Sequence, residues 1–174
     1  MNSREHILDS ALALLRSGGS VSLESAAREA GLSKPGLMHH FRTKEALMLA
    51  LVDHVVDGWE RALAERLTGE VARASAGDRI RAYLAWSTSG GFDEADLVVV
   101  ADPRLRPAMT ARWEERLGPW LALPDDLDPD ARARLTAVRL LCDGAWLADA
   151  AHLFPIPPDE RDRVRAVAER LLEP

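Results

Sequence analysis

Cysteine is almost absent from this 174-residue sequence, Cys142 being the only one. An intrachain disulfide is excluded, which fits a reducing compartment, so a cytoplasmic location is expected. Lysine is nearly as scarce: both lysines, Lys34 and Lys44, fall within fourteen residues of each other. Tyrosine occurs once and phenylalanine three times. No apolar run reaches the roughly 18 residues needed to span a bilayer, so no membrane association is expected. The start, Met1 to His6, leads directly into an amphipathic pattern rather than a signal peptide. Glycine-rich phosphate loops, metal-spaced Cys/His sets and nucleophile elbows are missing. The five histidines are scattered, so no enzyme activity, metal or cofactor is expected.

Strand-rich runs are also few, while alanine, leucine and arginine dominate, which predicts an all-α chain. The net charge of −6 is unevenly placed. Residues 1–54 balance six basic against six acidic side chains and hold four of the five histidines. The whole negative excess therefore lies beyond them. An acidic body with a locally basic head is compatible with nucleic-acid docking, because only the docking face needs positive charge.

Helical periodicity begins with Ile7, Leu8, Ala11, Leu12, Leu14 and Leu15, and Gly18-Gly19 stops it. Ser22 reads as the N-cap of a short helix over Leu23 to Ala30. Gly31 supplies the left-handed residue of a tight turn, and Leu32 is expected to plug that turn into the core. Ser33 caps the next helix, and Pro35 is tolerated in its first turn. Leu37 and Phe41, four apart, point inward. Two short helices joined by a glycine turn form a helix-turn-helix, with the second placed to enter a DNA groove.

Thr43 opens a long helix through Trp59 towards Leu67. Asp78 is expected to cap a helix to Thr88, and Asp93 to open a short apolar segment through Val100. The run Leu97 to Ala101 is compatible with a buried strand, but no partner strand is visible and it is assigned as helix. Asp102-Pro103 and Asp128-Pro129 are cap-and-proline signals for two further helices. The second extends to about Phe154, and a last helix covers Asp159 to Leu172.

The stretch Gly31 to Leu47 resembles the helix-turn-helix signature of TetR/AcrR-type transcriptional regulators: glycine, small residue and serine, then His-Phe, then Lys-Glu and leucine. One departure is Met38, where that family usually has a tyrosine that donates to a DNA phosphate. The resemblance implies an N-terminal three-helix DNA-binding domain over residues 1–48. It also implies a helical ligand-binding and dimerisation domain over residues 49–174, paired through the last two helices. Leu141 to Trp146 looks like the family's dimer-helix pattern.

Physical chemistry gives the DNA-docking candidates their roles. Ser22 and Ser33 sit at helix N-termini, where free N–H groups favour phosphate as well as needing a cap. Lys44 is placed for a second phosphate, and Lys34 for a guanine edge or a phosphate. Pro35 and Gly36 permit close approach. His39 is a base or phosphate candidate, His40 either a contact or a packed residue, and Arg28 a further phosphate contact. A twofold dimer would read a near-palindromic double-stranded operator.

The body is rich in tryptophan. Tyr83, Trp86, Phe92, Met109, Trp113, Trp120 and Trp146, with Asp143 as an acid, are the candidates for an aromatic pocket that takes a lipophilic cationic or aromatic molecule. Asp143 and Asp149, on the same apolar helix, need partners if buried. Gly144, Ala148 and Ala151, with Val164, Val167 and Leu171, are the candidate dimer contacts. Cys142 reads as a small buried filler. The expected function is a repressor released from its operator by a small-molecule inducer. The alternative is a DNA-binding regulator without such a ligand, whose body dimerises or binds a protein.

Overall fold

The computed structural model describes residues 3–173, and every assigned element among them is helical. Eight α-helices are present among the described residues: α1 Ser3–Arg16, α2 Leu23–Glu29, α3 Lys34–Met38, α4 Lys44–Ala64, α5 Ala76–Ser87, α6 Arg106–Leu121, α7 Pro129–Ala150 and α8 Arg161–Leu171. Short 3-10 helices cover Val71–Arg73 and Glu94–Val100. The chain packs as two compact units, residues 1–57 with 93–116 and residues 58–92 with 117–174.

In the first unit, α1 buries Ile7, Leu8, Ala11 and Leu12, the one-sided stripe expected of an amphipathic helix. It ends at Gly18, whose φ of 73° suits a residue without a Cβ. Ser22 caps α2 and is itself capped: its hydroxyl accepts from Ser25 N–H, and Ser25 Oγ accepts from Ser22 N–H at 2.9 Å. Gly31, at φ 67°, makes the turn into α3. Ser33 Oγ accepts from Gly36 N–H, and Thr43 Oγ1 from Ala46 N–H, as starts of α3 and α4. Leu37 and Phe41 are buried as their spacing predicts. Leu32, expected to plug the turn, is instead 37% exposed, because Leu37 and Phe41 already fill the inner side.

The apolar run before Ala101 is the 3-10 helix Glu94–Val100, begun by a capping box between Asp93 and Asp96 and packed on α1. Asp93 also accepts from Arg16 at 2.7 Å. The helix after it starts later than Asp102-Pro103 predicts. Asp102 caps only a turn, accepting from Arg104 N–H, and α6 begins at Arg106. Pro107, the second residue of α6, lacks an N–H that would have no intrahelical partner there. Arg116 bridges Asp53 at 3.1 Å and Asp57 at 2.6 Å.

In the second unit, α5 packs along α7, and α8 lies against both. The buried stripe of α7 is Leu135, Val138, Cys142, Ala145 and Asp149, spaced three and four apart as one helix face requires. Asp149 is the single charged member, and Arg161 at the start of α8 meets it at 2.8 Å. Ser75, rather than Asp78, is the N-cap of α5; its hydroxyl accepts from Asp78 N–H and donates to the Asp78 carboxylate at 2.7 Å. α7 stops at Ala150, short of Phe154, because His152 and Phe154 adopt φ values of 53° and 52°. Arg79 donates to the carbonyls of Pro119 at 2.5 Å and Ala122 at 2.7 Å, satisfying acceptors that a helix C-terminus leaves open.

The Arg161 guanidinium lies directly against Gly90, where a Cβ would come within 2.7 Å of it at a φ of 76°. Gly90→Ala therefore combines a left-handed strain of about 1–2 kcal/mol with displacement of Arg161 from buried Asp149. The expected outcome is a drop in thermal midpoint of about 5 °C or more, read by circular dichroism.

Candidate DNA-binding head and aromatic body site

The head presents α3 outward. Lys34, Pro35, Met38, His39 and His40 are all exposed, and Gly36 is half-buried. α3 has five residues, so His39 is its C-cap and His40 lies in the turn beyond. Arg28 is exposed on α2. The hydroxyls of Ser22 and Ser33 are committed to capping, that of Ser22 in a half-buried position. His40 is not packed in the turn.

Lys44 has a partner that sequence reasoning missed. Its ammonium donates to the carboxylate of Asp102, which is nearly buried. No sequence spacing relates residues 58 positions apart. This hydrogen bond, followed by the one from Arg104 N–H, holds the Asp102 carboxyl below the usual carboxylate range. The Lys44 side chain keeps 44% of its surface exposed, and an ammonium has three donors, so one pairing leaves donors free. Lys44 and Asp102 also face a cleft of about 160 Å³ whose wall includes Gly18, Gly19 and Ser20.

The second unit gathers five rings. Trp59 lies 4.7 Å from Trp86 and 5.4 Å from Trp146 between ring centroids, Trp86 lies 4.6 Å from Phe92, and Tyr83 stacks on Trp86 at 5.4 Å with planes 19° apart. These separations are favourable for edge-to-face and offset stacking. Trp59, Tyr83 and Trp86 are buried; Phe92 and Trp146 are half-buried and form the accessible rim. Trp59 is one of the five tryptophans that make the body aromatic-rich but is not among the named pocket candidates, and it lies at the centre of the cluster.

Tyr83 donates its hydroxyl proton to Asp143 at 2.9 Å, and Arg139 meets the same carboxylate at 2.6 Å. Burial, then the charge of Asp143, pushes the Tyr83 phenol well above its ordinary value, so it stays a neutral donor. Asp143 and Asp149 thus both have partners, Asp143 in Tyr83 and Arg139, and Asp149 in Arg161. Trp120 is buried on the last turn of α6, and Met109 and Trp113 belong to the first unit. The Cys142 thiol is pushed up to about 12 by burial, partly offset by a hydrogen bond with Ser87, so it is protonated and unreactive at neutral pH.

Of the candidate dimer residues, Gly144, Val167 and Leu171 are exposed, while Ala148, Ala151 and Val164 are half-buried. Leu140 and Leu147, not singled out from the sequence, are 56% and 49% exposed. With Gly144 and Ala151 they repeat at four, three and four residues, on the side of α7 opposite its buried stripe.

A three-helix head with α3, the second helix of its helix-turn-helix, facing outward is the architecture of a helix-turn-helix regulator. Residues 7–51 match the family model "Bacterial regulatory proteins, tetR family", and residues 77–173 match "Tetracyclin repressor-like, C-terminal domain". The chain belongs to the TetR family of transcriptional regulators, whose members bind DNA, dimerise and bind small molecules. None of the curated proteins matches the sequence. Among solved structures, a TetR family member from Streptomyces coelicolor is 25% identical with full coverage of both chains and a TM-score of 0.64. The multidrug binding protein EbrR complexed with malachite green is also 25% identical with full coverage of both, at a TM-score of 0.65. EbrR complexed with ethidium is 26% identical over 98% of each chain, at 0.59. No helix among the described residues is long and apolar enough to cross a membrane.

A carboxylate with a lowered pKa stabilises the fold above its unfolded value, and loses that contribution as pH falls through the folded value. For Asp102 the unfolded reference is 3.8. Asp102→Asn is therefore expected to be less stable than the wild type at pH 7. The gap should close as pH falls below about 4, measured by urea melts across pH.

Proposed function

We propose that this regulator is a repressor released from a near-palindromic operator by a flat, lipophilic, cationic or aromatic inducer. The observation that carries the reading is the five-ring cluster of the second unit, bordered by the acid Asp143. Aromatic faces attract cations, and Asp143 adds a negative charge beside them. EbrR, similar in fold and 25–26% identical, has been solved in complex with malachite green and with ethidium; both dyes are aromatic cations. The inducer enters at Phe92 and Trp146 and parts the rings. Gly90 and Gly91, both at positive φ, form the adjoining loop.

On the DNA side, Lys34, Pro35, Gly36 and His39 approach the groove, while Ser22, Arg28, Ser33, His40 and Lys44 serve the backbone. Two copies pair through α7 and α8, covering the outer face of α7 with Gly144, Ala148 and Ala151, and Val164, Val167 and Leu171 of α8. Inducer binding releases the operator only if it favours a dimer state with lower DNA affinity.

The pairing of Asp143 and Asp149 favours a second reading. If Arg139 and Arg161 fully neutralise them, the cluster is a structural core, and the body serves dimerisation or a protein partner. Titration with ethidium and with malachite green separates the readings. The first expects saturable quenching of tryptophan fluorescence, about tenfold weaker binding by Asp143→Asn, and release of bound operator over the same concentrations. Flat titrations with both dyes would leave the second reading standing.

The phosphate role of Lys44 has its own measure. Lys44→Ala is expected to weaken operator binding and reduce the slope of log affinity against log salt by about 0.9 for each phosphate that the ammonium neutralises. An unchanged slope removes Lys44 from the DNA face.

A further inference from the structure

The head carries an apolar side chain that its own core does not use. Leu37 and Phe41 are buried, whereas Met38, between them in sequence, is 40% exposed. Met38 follows Lys34 by four residues, so the two lie on the same side of α3, and both are exposed. The surrounding stretch, residues 31–44, contains Lys34, His39, His40, Arg42 and Lys44 and no acidic residue, in a chain of net charge −6. A polyanion fits such a surface, and for a TetR-family regulator that polyanion is duplex DNA.

Phosphates offer only hydrogen-bond acceptors, and a thioether has nothing to donate to them. The distinctive apolar feature of the major groove is the C5 methyl group of thymine. We propose that Met38 packs on a thymine methyl in each operator half-site and so helps to determine sequence specificity. The unbranched, polarisable methionine side chain adapts readily to such a small apolar target. Four residues of helix advance about 6 Å, and base pairs stack about 3.4 Å apart. The thymine therefore lies within about two base pairs of the position that Lys34 approaches.

This inference rests on the DNA-binding reading, and the experiment distinguishes their failures. Duplexes are selected with the wild-type protein from a random-sequence library. Each thymine of the enriched site is then replaced by deoxyuridine, which lacks only the methyl group. Wild-type affinity is expected to fall about three- to fivefold at one position per half-site. Met38→Ala should bind the thymine duplex more weakly by a similar factor and be indifferent to uracil at that position. It should keep the wild-type response at every other thymine, which a general loss of head structure would not do. Met38→Leu should retain the sensitivity. Equal responses of wild type and Met38→Ala at every thymine overturn the proposal alone. A library yielding no enriched duplex overturns the DNA-binding reading and this proposal with it.

Discussion

Two helices of seven and five residues carry the head, and neither is long enough to persist alone in water. Their existence depends on satisfying the N–H groups that a short helix leaves open. Ser22, Ser25 and Ser33 do this with hydroxyls, and Gly31 reverses the chain at a φ of 67°. Burial of Ala26, Ala27, Leu37 and Phe41 then supplies what propensity cannot. These few apolar residues fill the inner side, and Lys34, Pro35, Met38, His39 and His40 are left exposed. The exposed face of α3 is thus the remainder of a packing problem solved on the other face.

The same logic runs through the second unit with different chemistry. α7 has apolar residues around most of its circumference, so it buries one stripe against α5 and α8 and leaves Leu140 and Leu147 outside. A carboxylate inside the buried stripe is tolerable only with a partner, and Arg161 provides it. The bare backbone of Gly90 makes room for the guanidinium. Asp143, less than two turns earlier, is shared between a phenol and a guanidinium beside the rings.

Much of this was legible in the residues. The caps at Ser22, Ser33, Thr43 and Asp128, the glycine turn, and the inward pair Leu37 and Phe41 are local features with local causes. The misplaced starts had local competitors: Ser75 outcompetes Asp78, and Pro107 sets a later beginning for α6 than Pro103 signals. Leu32 failed as a plug because burial is decided by neighbours rather than by hydrophobicity. In the aromatic body, composition identified the residue type but not the grouping. Trp59 joins Trp86 and Trp146.

Sequence by itself determined the all-helical architecture, the family and the outward basic face of residues 31–44, since periodicity, caps and charge act over a few residues. Only the tertiary structure decided which distant groups meet. Lys44 finds Asp102, Tyr83 finds Asp143, and five rings converge from four segments. Contacts across tens of residues depend on how whole helices pack, and no spacing along the chain encodes that.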